Sequence, residues 1–176
     1  VGILNADQML NFPDFRAYER AFQMMVQVAG RAGRLKKQGK VVIQTRYPEN
    51  WLLEEVKRHD YNAFYKKEIV ERRQFQYPPF YRLIRLVIID KNKALVEKGA
   101  KQLADRLRIS LKERVLGPEF PYISRIRNRF HIHILIKIER DMSPNKVKRF
   151  IQSEIDYLHS LKDFKSLRIY ADVDPN

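Results

Sequence analysis

The sequence contains no cysteine. That excludes a disulfide scaffold, a thiolate zinc site and a cysteine nucleophile, and it fits a reducing compartment. No apolar run approaches the ~20 residues that a bilayer-spanning helix needs, so a transmembrane helix is excluded. There is no signal-peptide pattern at the amino end. Internal repeats and low-complexity tracts are absent as well, which rules out a solenoid. Acidic residues are in short supply: 21 Asp and Glu stand against 35 Lys and Arg, a formal net charge of +14 over 176 residues.

What is present describes an ordinary folded chain. With 44% apolar and 32% charged residues the composition is globular rather than disordered. A chain of this length buries about 70% of its unfolded surface, enough for one or two cores. The positive excess is spread through segments that read as folded. Residues 1–50 carry a net +4 and residues 51–176 a net +10. A surface of this kind attracts polyanions, nucleic acid first and an acidic membrane surface second.

The chain opens on VGILNAD rather than on Met. Val1 to Leu4 read as a buried strand and Asn5-Ala6-Asp7 as the loop leaving it, so the expectation is a piece of a longer protein. Asp14 is placed to cap a helix whose apolar stripe is Phe15, Tyr18, Phe22, Met25, Val26 and Ala29. That helix ends in QVAGRAGR, Gln27 to Arg34, and a strand KVVIQT, Lys40 to Thr45, follows. Strand, helix, strand is a slice of an α/β domain with a parallel sheet. Two helices are predicted over 49–73. The first carries Trp51, Leu52, Leu53 and Val56. The second is capped by Asp60 and carries Phe64, Ile69 and Val70. Tyr77-Pro78-Pro79-Phe80 then stops any helix.

From Leu83 a new pattern begins. LIRLVIID is an apolar strand, and residues 91–113 form a helix with Leu95, Val96, Ala100, Leu103, Leu107 and Leu111 on one side. Val115 to Pro118 start a second strand. Arg129 to Glu139 alternate strictly: Phe130, Ile132, Ile134, Ile136 and Ile138 point one way, and Arg129, His131, His133 and Lys137 the other. Arg125 to Arg129 make a basic hairpin turn. Ser143 and Pro144 begin a last helix with Val147, Phe150, Ile151, Ile155 and Leu158 inward, and Leu167 to Val173 form the last strand. The order β-α-β-β-α-β is the split βαβ arrangement of ferredoxin-like domains.

The string that carries chemistry is QVAGRAGR. Two arginines three apart on one helical turn can grip a phosphate, because guanidinium donors match phosphate oxygens and glycine admits close backbone approach. Inserted across a cleft, such an arginine can act on a transferring phosphoryl group. The plain alternative is a solvated turn at a helix end. Elsewhere, Arg125, Arg127 and Arg129 with Phe130 and His131 gather at the hairpin, where they can meet a phosphate backbone or simply keep the hairpin soluble. Phe130 lies on the apolar parity, which favours packing. His131 and His133 alternate on one face without a third ligand nearby, so no metal site is expected. Arg16 and Arg20 read as a solvated helix face, and Asp7 as either a loop cap or a contact to the arginine motif or DNA.

QVAGRAGR resembles motif VI of superfamily 2 helicases, Q-x-x-G-R-x-G-R, with Gln27, Gly30, Arg31, Gly33 and Arg34 at every fixed position. The longer stretches NADQMLNFPDFRAYERAFQMMVQVAGRAGR, ERRQFQYPPF, LGPEF, RIRNRFHIHILIK and DVDP together resemble the C-terminal part of the primosomal protein N′ family of replication-restart helicases. The resemblance implies three regions. Residues 1–48 would end the second, RecA-like helicase lobe, 49–80 would be a helical linker ending in YPPF, and 81–176 a ferredoxin-like domain that binds DNA and partners. It implies an ATP-dependent 3′→5′ DNA helicase, bacterial, cytoplasmic and nucleoid-associated, that recognises stalled or abandoned forks and promotes primosome assembly. Arg34 would be the arginine finger, Arg31 a second γ-phosphate contact, and Gln27, with Gly30 and Gly33, the coupling of nucleotide state to the lobes. Arg125, Arg127, Arg129 and His131 are the candidates for DNA contact. ATP and Mg²⁺ would serve the full-length protein, and zinc only the part that holds the family's cysteines. The chain has no GKT-type phosphate loop and is expected to bind no cofactor and hydrolyse no ATP by itself. Implied partners are branched and single-stranded DNA, single-stranded-DNA-binding protein and other primosome proteins, with no membrane. Lys146, Lys148 and Arg149 suit the acidic tail of single-stranded-DNA-binding protein or a solvated face. The alternative reading is a non-motor nucleic-acid-binding ferredoxin-like module.

Overall fold

A computed structural model describes residues 1–32 and 39–175. The chain divides into two compact units, residues 1–75 and 76–175.

The N-terminal unit begins with two short parallel strands, β1 (Gly2–Ile3) and β2 (Val42–Ile43), paired Gly2 to Val42 and Ile3 to Ile43. Each is shorter than its apolar run suggests. Val1 and Leu4 are exposed, and only Ile3 of the first run is buried. Asn5 to Asp7 are not all loop. Asn5 takes a left-handed conformation (φ 52°), and α1 (Ala6–Leu10) starts directly after it. α2 (Ala17–Ala32) buries Ala17, Ala21, Phe22 and Met25 on one stripe. Asp14 stands before it and accepts bonds from the Arg16 backbone N–H and the Arg20 guanidinium, both at 2.8 Å.

α3 (Trp51–Arg58) and α4 (Tyr61–Gln74) start at side-chain caps, Asn50 on Leu52 N–H and Asp60 on Ala63 N–H, each at 2.9 Å. His59, left-handed at φ 53°, separates them. Their Leu52, Leu53, Val56 and Phe64 share one core with Ile3, Phe22 and Met25, so the segment read as a linker contributes to the core of this unit. Aromatic rings brace it: Tyr18 on Trp51 at 5.5 Å, and Phe22 on Phe64 at 4.6 Å. In α4 the expected inward Val70 is exposed, and Glu68 is buried in its neighbourhood of the helix instead. Arg72 makes that burial possible. It bonds Glu68 and Glu19, both at 2.9 Å, and neutralises the carboxylate.

The C-terminal unit is built on a sheet of five strands. β3 (Tyr81–Asp90), β4 (Val115–Glu119), β5 (Arg125–Ile126), β6 (Arg129–Glu139) and β7 (Arg168–Val173) are all antiparallel, in the order β4-β6-β3-β7 with β5 also on β6. α5 (Lys93–Leu111) crosses between β3 and β4, and α6 (Pro144–Ser160) between β6 and β7. Both helices pack on one sheet face, where Leu103, Leu107, Ile151 and Leu158 meet Leu86, Ile88, Ile134 and Ile136. Asn92 caps α5 through Leu95 N–H at 3.2 Å. Ser143 occupies the cap position of α6, but its side chain makes no capping bond.

The opposite sheet face carries no helix of this unit. One of its expected outward residues, Lys137, is buried. Its ammonium lies 3.9 Å from the centre of the Tyr77 ring, a cation–π contact, and burial lowers its pKa. Among the described residues, no helix is long and apolar enough to cross a membrane.

Candidate nucleic-acid interface

The hairpin between β5 and β6 is the shortest that antiparallel strands allow. Ile126 pairs with Arg129, and the two loop residues Arg127 and Asn128 both take positive φ, 47° and 60°. Two left-handed residues make the turn whose twist matches the flanking strands, and Asn is one of the few residues that tolerates it. The loop therefore holds Arg125, Arg127 and Arg129 within five residues at one tip. Arg125 and Arg127 are exposed and Arg129 is half-buried. The Arg125 guanidinium lies 5.2 Å from the Phe130 ring centre and donates to the Asn128 side chain, which orients it along the hairpin. Phe130 itself packs against the core, as its parity requires.

His131 and His133 follow Arg129 on the face away from the helices. Burial lowers the His131 pKa. Burial, the Arg85 charge and His131 push His133 down to about 4, so both rings are neutral at pH 7. Among the described residues no cluster of three or more metal-ligating side chains exists.

The remaining candidates lie apart from this tip. Lys146, Lys148 and Arg149 are exposed on the first turns of α6, with Arg149 Nε donating to the Asn145 carbonyl at 3.4 Å. Gln27, Gly30 and Arg31 are exposed on the last turns of α2. Gly33 and Arg34 lie outside the described residues. Asp7 is occupied. Thr45 Oγ1 donates to it at 2.5 Å and the Arg46 N–H at 2.9 Å, which lowers its pKa and makes it a clamp joining α1 to the end of β2.

Pattern reading of β7 marks Leu167 to Val173 only as a strand. The register assigns its polar residues to a place. Tyr170 stands opposite Val87, Arg168 opposite Ile89 and Asp172 opposite Arg85, all on the face without helices. The period-two alternation of Arg168, Tyr170 and Asp172 is visible in RIYADV, but which face it serves depends on pairing with β3.

Residues 73–176 match the family model of the primosomal protein N C-terminal domain. The chain belongs to that family. It is 33% identical to the replication restart protein PriA of Bacillus subtilis (strain 168), over 99% of this chain and 22% of that protein. It is 35% identical to the replication restart protein PriA of Synechocystis, over 99% and 20% respectively. For the protein of that name from Treponema pallidum the figures are 34%, 99% and 26%. The chain thus spans about a fifth to a quarter of the length of these curated relatives. Arg125 to Arg129 fall inside the matched residues 73–176.

Proposed function

We propose that this chain is the part of a replication-restart helicase that supplies motif VI and a DNA- and partner-binding C-terminal domain. The whole protein would use ATP and Mg²⁺ to unwind DNA 3′→5′ at stalled or abandoned forks and promote primosome assembly. The relatives' name, replication restart protein, supports the role. The parallel β1–β2 pair, with α2 between its strands in the chain, supports reading residues 1–48 as the end of a RecA-like lobe. The order β4-β6-β3-β7 with two crossover helices supports reading the C-terminal unit as ferredoxin-like. Gln27, Gly30 and Arg31, exposed at one helix end, suit a motif that meets nucleotide across a cleft, with Arg34 as the finger and Gly33 admitting close approach. A non-motor nucleic-acid-binding module has no use for QVAGRAGR, which disfavours that alternative.

The observation that carries the DNA-binding part is the two-residue hairpin with three arginines at its tip. Branched and single-stranded DNA are the substrates. Single-stranded-DNA-binding protein and other primosome proteins are the partners, with Lys146, Lys148 and Arg149 suited to an acidic tail. Zinc belongs to the cysteine-bearing region of the relatives rather than to this cysteine-free chain.

The test is a fluorescence-anisotropy titration of duplex and forked DNA at several salt concentrations. The chain should bind with micromolar affinity. Replacing Arg125, Arg127 and Arg129 together with Ala should weaken binding and flatten the log–log salt slope by up to about 2.7, since each neutralised phosphate contributes about 0.9. The fold should survive, as exposed substitutions such as those at Arg125 and Arg127 usually cost under about 0.5 kcal/mol, and circular dichroism checks the half-buried Arg129 site. Equal affinity and equal slope would return the hairpin to a solubility role. The same preparation should release no phosphate from ATP with or without DNA, and DNA-stimulated release would overturn the division of labour proposed for the chain.

A further inference from the structure

The sheet face opposite α5 and α6 is organised as a row of floor and rim. Across four strands, Tyr170, Val87, His133 and Glu119 stand in register, and in the next row Arg168, Ile89 and His131 do. Arg129 and Ile126 continue the same face into the hairpin, because Arg129 shares the parity of His131 and pairs with Ile126. Val87 and Ile89 form an apolar floor, 3% and 8% exposed. Tyr170 is 51% exposed on β7, so its ring is available to solvent along the rim. Of the acids on this face, Asp172 is paired with Arg85 and Glu139 with Arg114, each at 2.7 Å, while Glu119 stands exposed on the β4 edge. Arg129 and Arg168 remain on this face, one at the hairpin and one on β7, whereas Arg125 pairs with Phe130 and lies on the other face. At the far end, Tyr77 sits over Lys137 and closes the face there.

An aromatic ring and neutral imidazoles over an apolar floor, rimmed by guanidinium groups, answer one ligand chemistry: unstacked bases on a phosphate chain. Duplex DNA offers its phosphates to the hairpin but keeps its base faces stacked inside, so it has nothing for Tyr170. We infer that the sheet face opposite α5 and α6 is a single-stranded DNA platform, on which Tyr170, His133 and His131 contact bases while Arg168 and Arg129 hold the backbone on either side. The choice of DNA over RNA rests on the replication-restart reading above. The platform adds to the hairpin a site that distinguishes single strands from duplex.

The test uses the whole chain, a fluorescein-labelled twelve-residue oligothymidylate, a hairpin duplex of the same length and a twelve-residue oligouridylate. Tyr170→Ala should weaken oligothymidylate binding about tenfold, within the range that loss of one stacked base produces. It should leave the salt slope and the duplex affinity unchanged, and Tyr170→Phe should restore most of the affinity. Arg168→Ala should flatten the single-strand slope by about 0.7, the contribution of one neutralised phosphate on single strands. Circular dichroism and amide-exchange protection of β3 confirm folding. Unchanged oligothymidylate binding by Tyr170→Ala overturns the platform, as does an equal loss on duplex. Oligouridylate that binds as tightly and loses as much in Tyr170→Ala overturns the assignment to DNA. The hairpin triple variant separates this failure from that of the broader reading. If it loses duplex binding while Tyr170→Ala loses nothing, the hairpin reading stands and the platform falls.

Discussion

The two units of the chain reach stability by different routes. In the C-terminal unit, twenty buried apolar residues lie between a five-stranded sheet and two long helices. Its ion pairs, such as Arg106 with Glu154 and Arg114 with Glu139, sit at the margins. Among its described residues, the N-terminal unit has two strands of two residues each and ten residues in its buried apolar cluster. It also buries the carboxylates Glu55 and Glu68, held by Lys67 and Arg72, and stacks its aromatics on one another, with Lys67 5.1 Å from the Trp51 ring centre. Where apolar side chains are few, paired charge and ring stacking fill the interior. Such an interior depends on each partner being present, because a lone buried charge is far more costly than a lost methyl group. The contrast extends to chemistry. The N-terminal unit exposes Gln27, Gly30 and Arg31 at a helix end, and the C-terminal unit displays Arg125, Arg127 and Arg129 around a two-residue turn.

The division of roles can be broken most sharply at Arg34. Arg34→Ala in the full-length protein should cut ATP turnover about 10³-fold or more, the scale of an arginine-finger loss, while DNA binding stays nearly intact. Turnover within threefold of the parent would reject Arg34 as the finger. Next in size is the apolar core. Leu103→Ala, fully buried in α5, should destabilise the C-terminal unit by about 2–5 kcal/mol, read as lost amide-exchange protection in β3 and β6. A loss under 1 kcal/mol would mean that this core relaxes around the cavity.

Arg72→Met tests the charge-filled interior. It strands Glu68, whose carboxyl pKa is already raised, first by burial and in spite of Arg72. The expected loss is about 2 kcal/mol, below that of a fully buried pair because both partners retain some solvent. Trp51, the single tryptophan, reports it by fluorescence in urea, and adding Glu68→Leu should recover most of the loss.

The smallest effect separates the units by pH. His133 has its folded pKa depressed to about 4 from 6.5, so the unfolded chain binds the proton more readily between those values. The C-terminal unit therefore keeps this contribution above pH 6.5 and loses it as pH falls toward 4, by about 1–2 kcal/mol after allowance for partial exposure. Glu68 works in the opposite direction. Its raised folded pKa means that the native N-terminal unit takes up the proton first, so acidification through that range adds stability. His133→Gln should flatten the acid loss seen in β6 protection, and Glu68→Gln should remove the gain seen at Trp51. Identical pH profiles for variants and parent would show that neither group titrates in that window.

Much of this was legible in the residues. The alternation of β6, the stripes of α5 and α6 and the cap Asp60 are local, and period and capping chemistry read them directly, whereas the cap Asn50 emerged only in the structure. A basic turn over Arg125 to Arg129 was legible too, but the structure confines the loop to Arg127-Asn128 and makes Arg125–Ile126 a strand of its own. QVAGRAGR was legible as a string, and its Gln27, Gly30 and Arg31 fall on the last turns of α2 as the helix pattern requires. Tertiary structure decided the rest. Glu68 rather than Val70 turned inward because Arg72 and Glu19 came within reach of it, a contact 53 residues apart for Glu19 that no helical period encodes. Asp7 was taken by Thr45 and Arg46 because β1 and β2 pair in parallel. Lys137 was buried because Tyr77 lies over it. The row Tyr170–Val87–His133 exists only because β3 is flanked by β7 on one side and β6 on the other. Sequence by itself determines what repeats along one segment, since period, caps and turns act within a few residues. Which polar side chains share a face is settled by strand register, and register is a property of segments far apart in the chain.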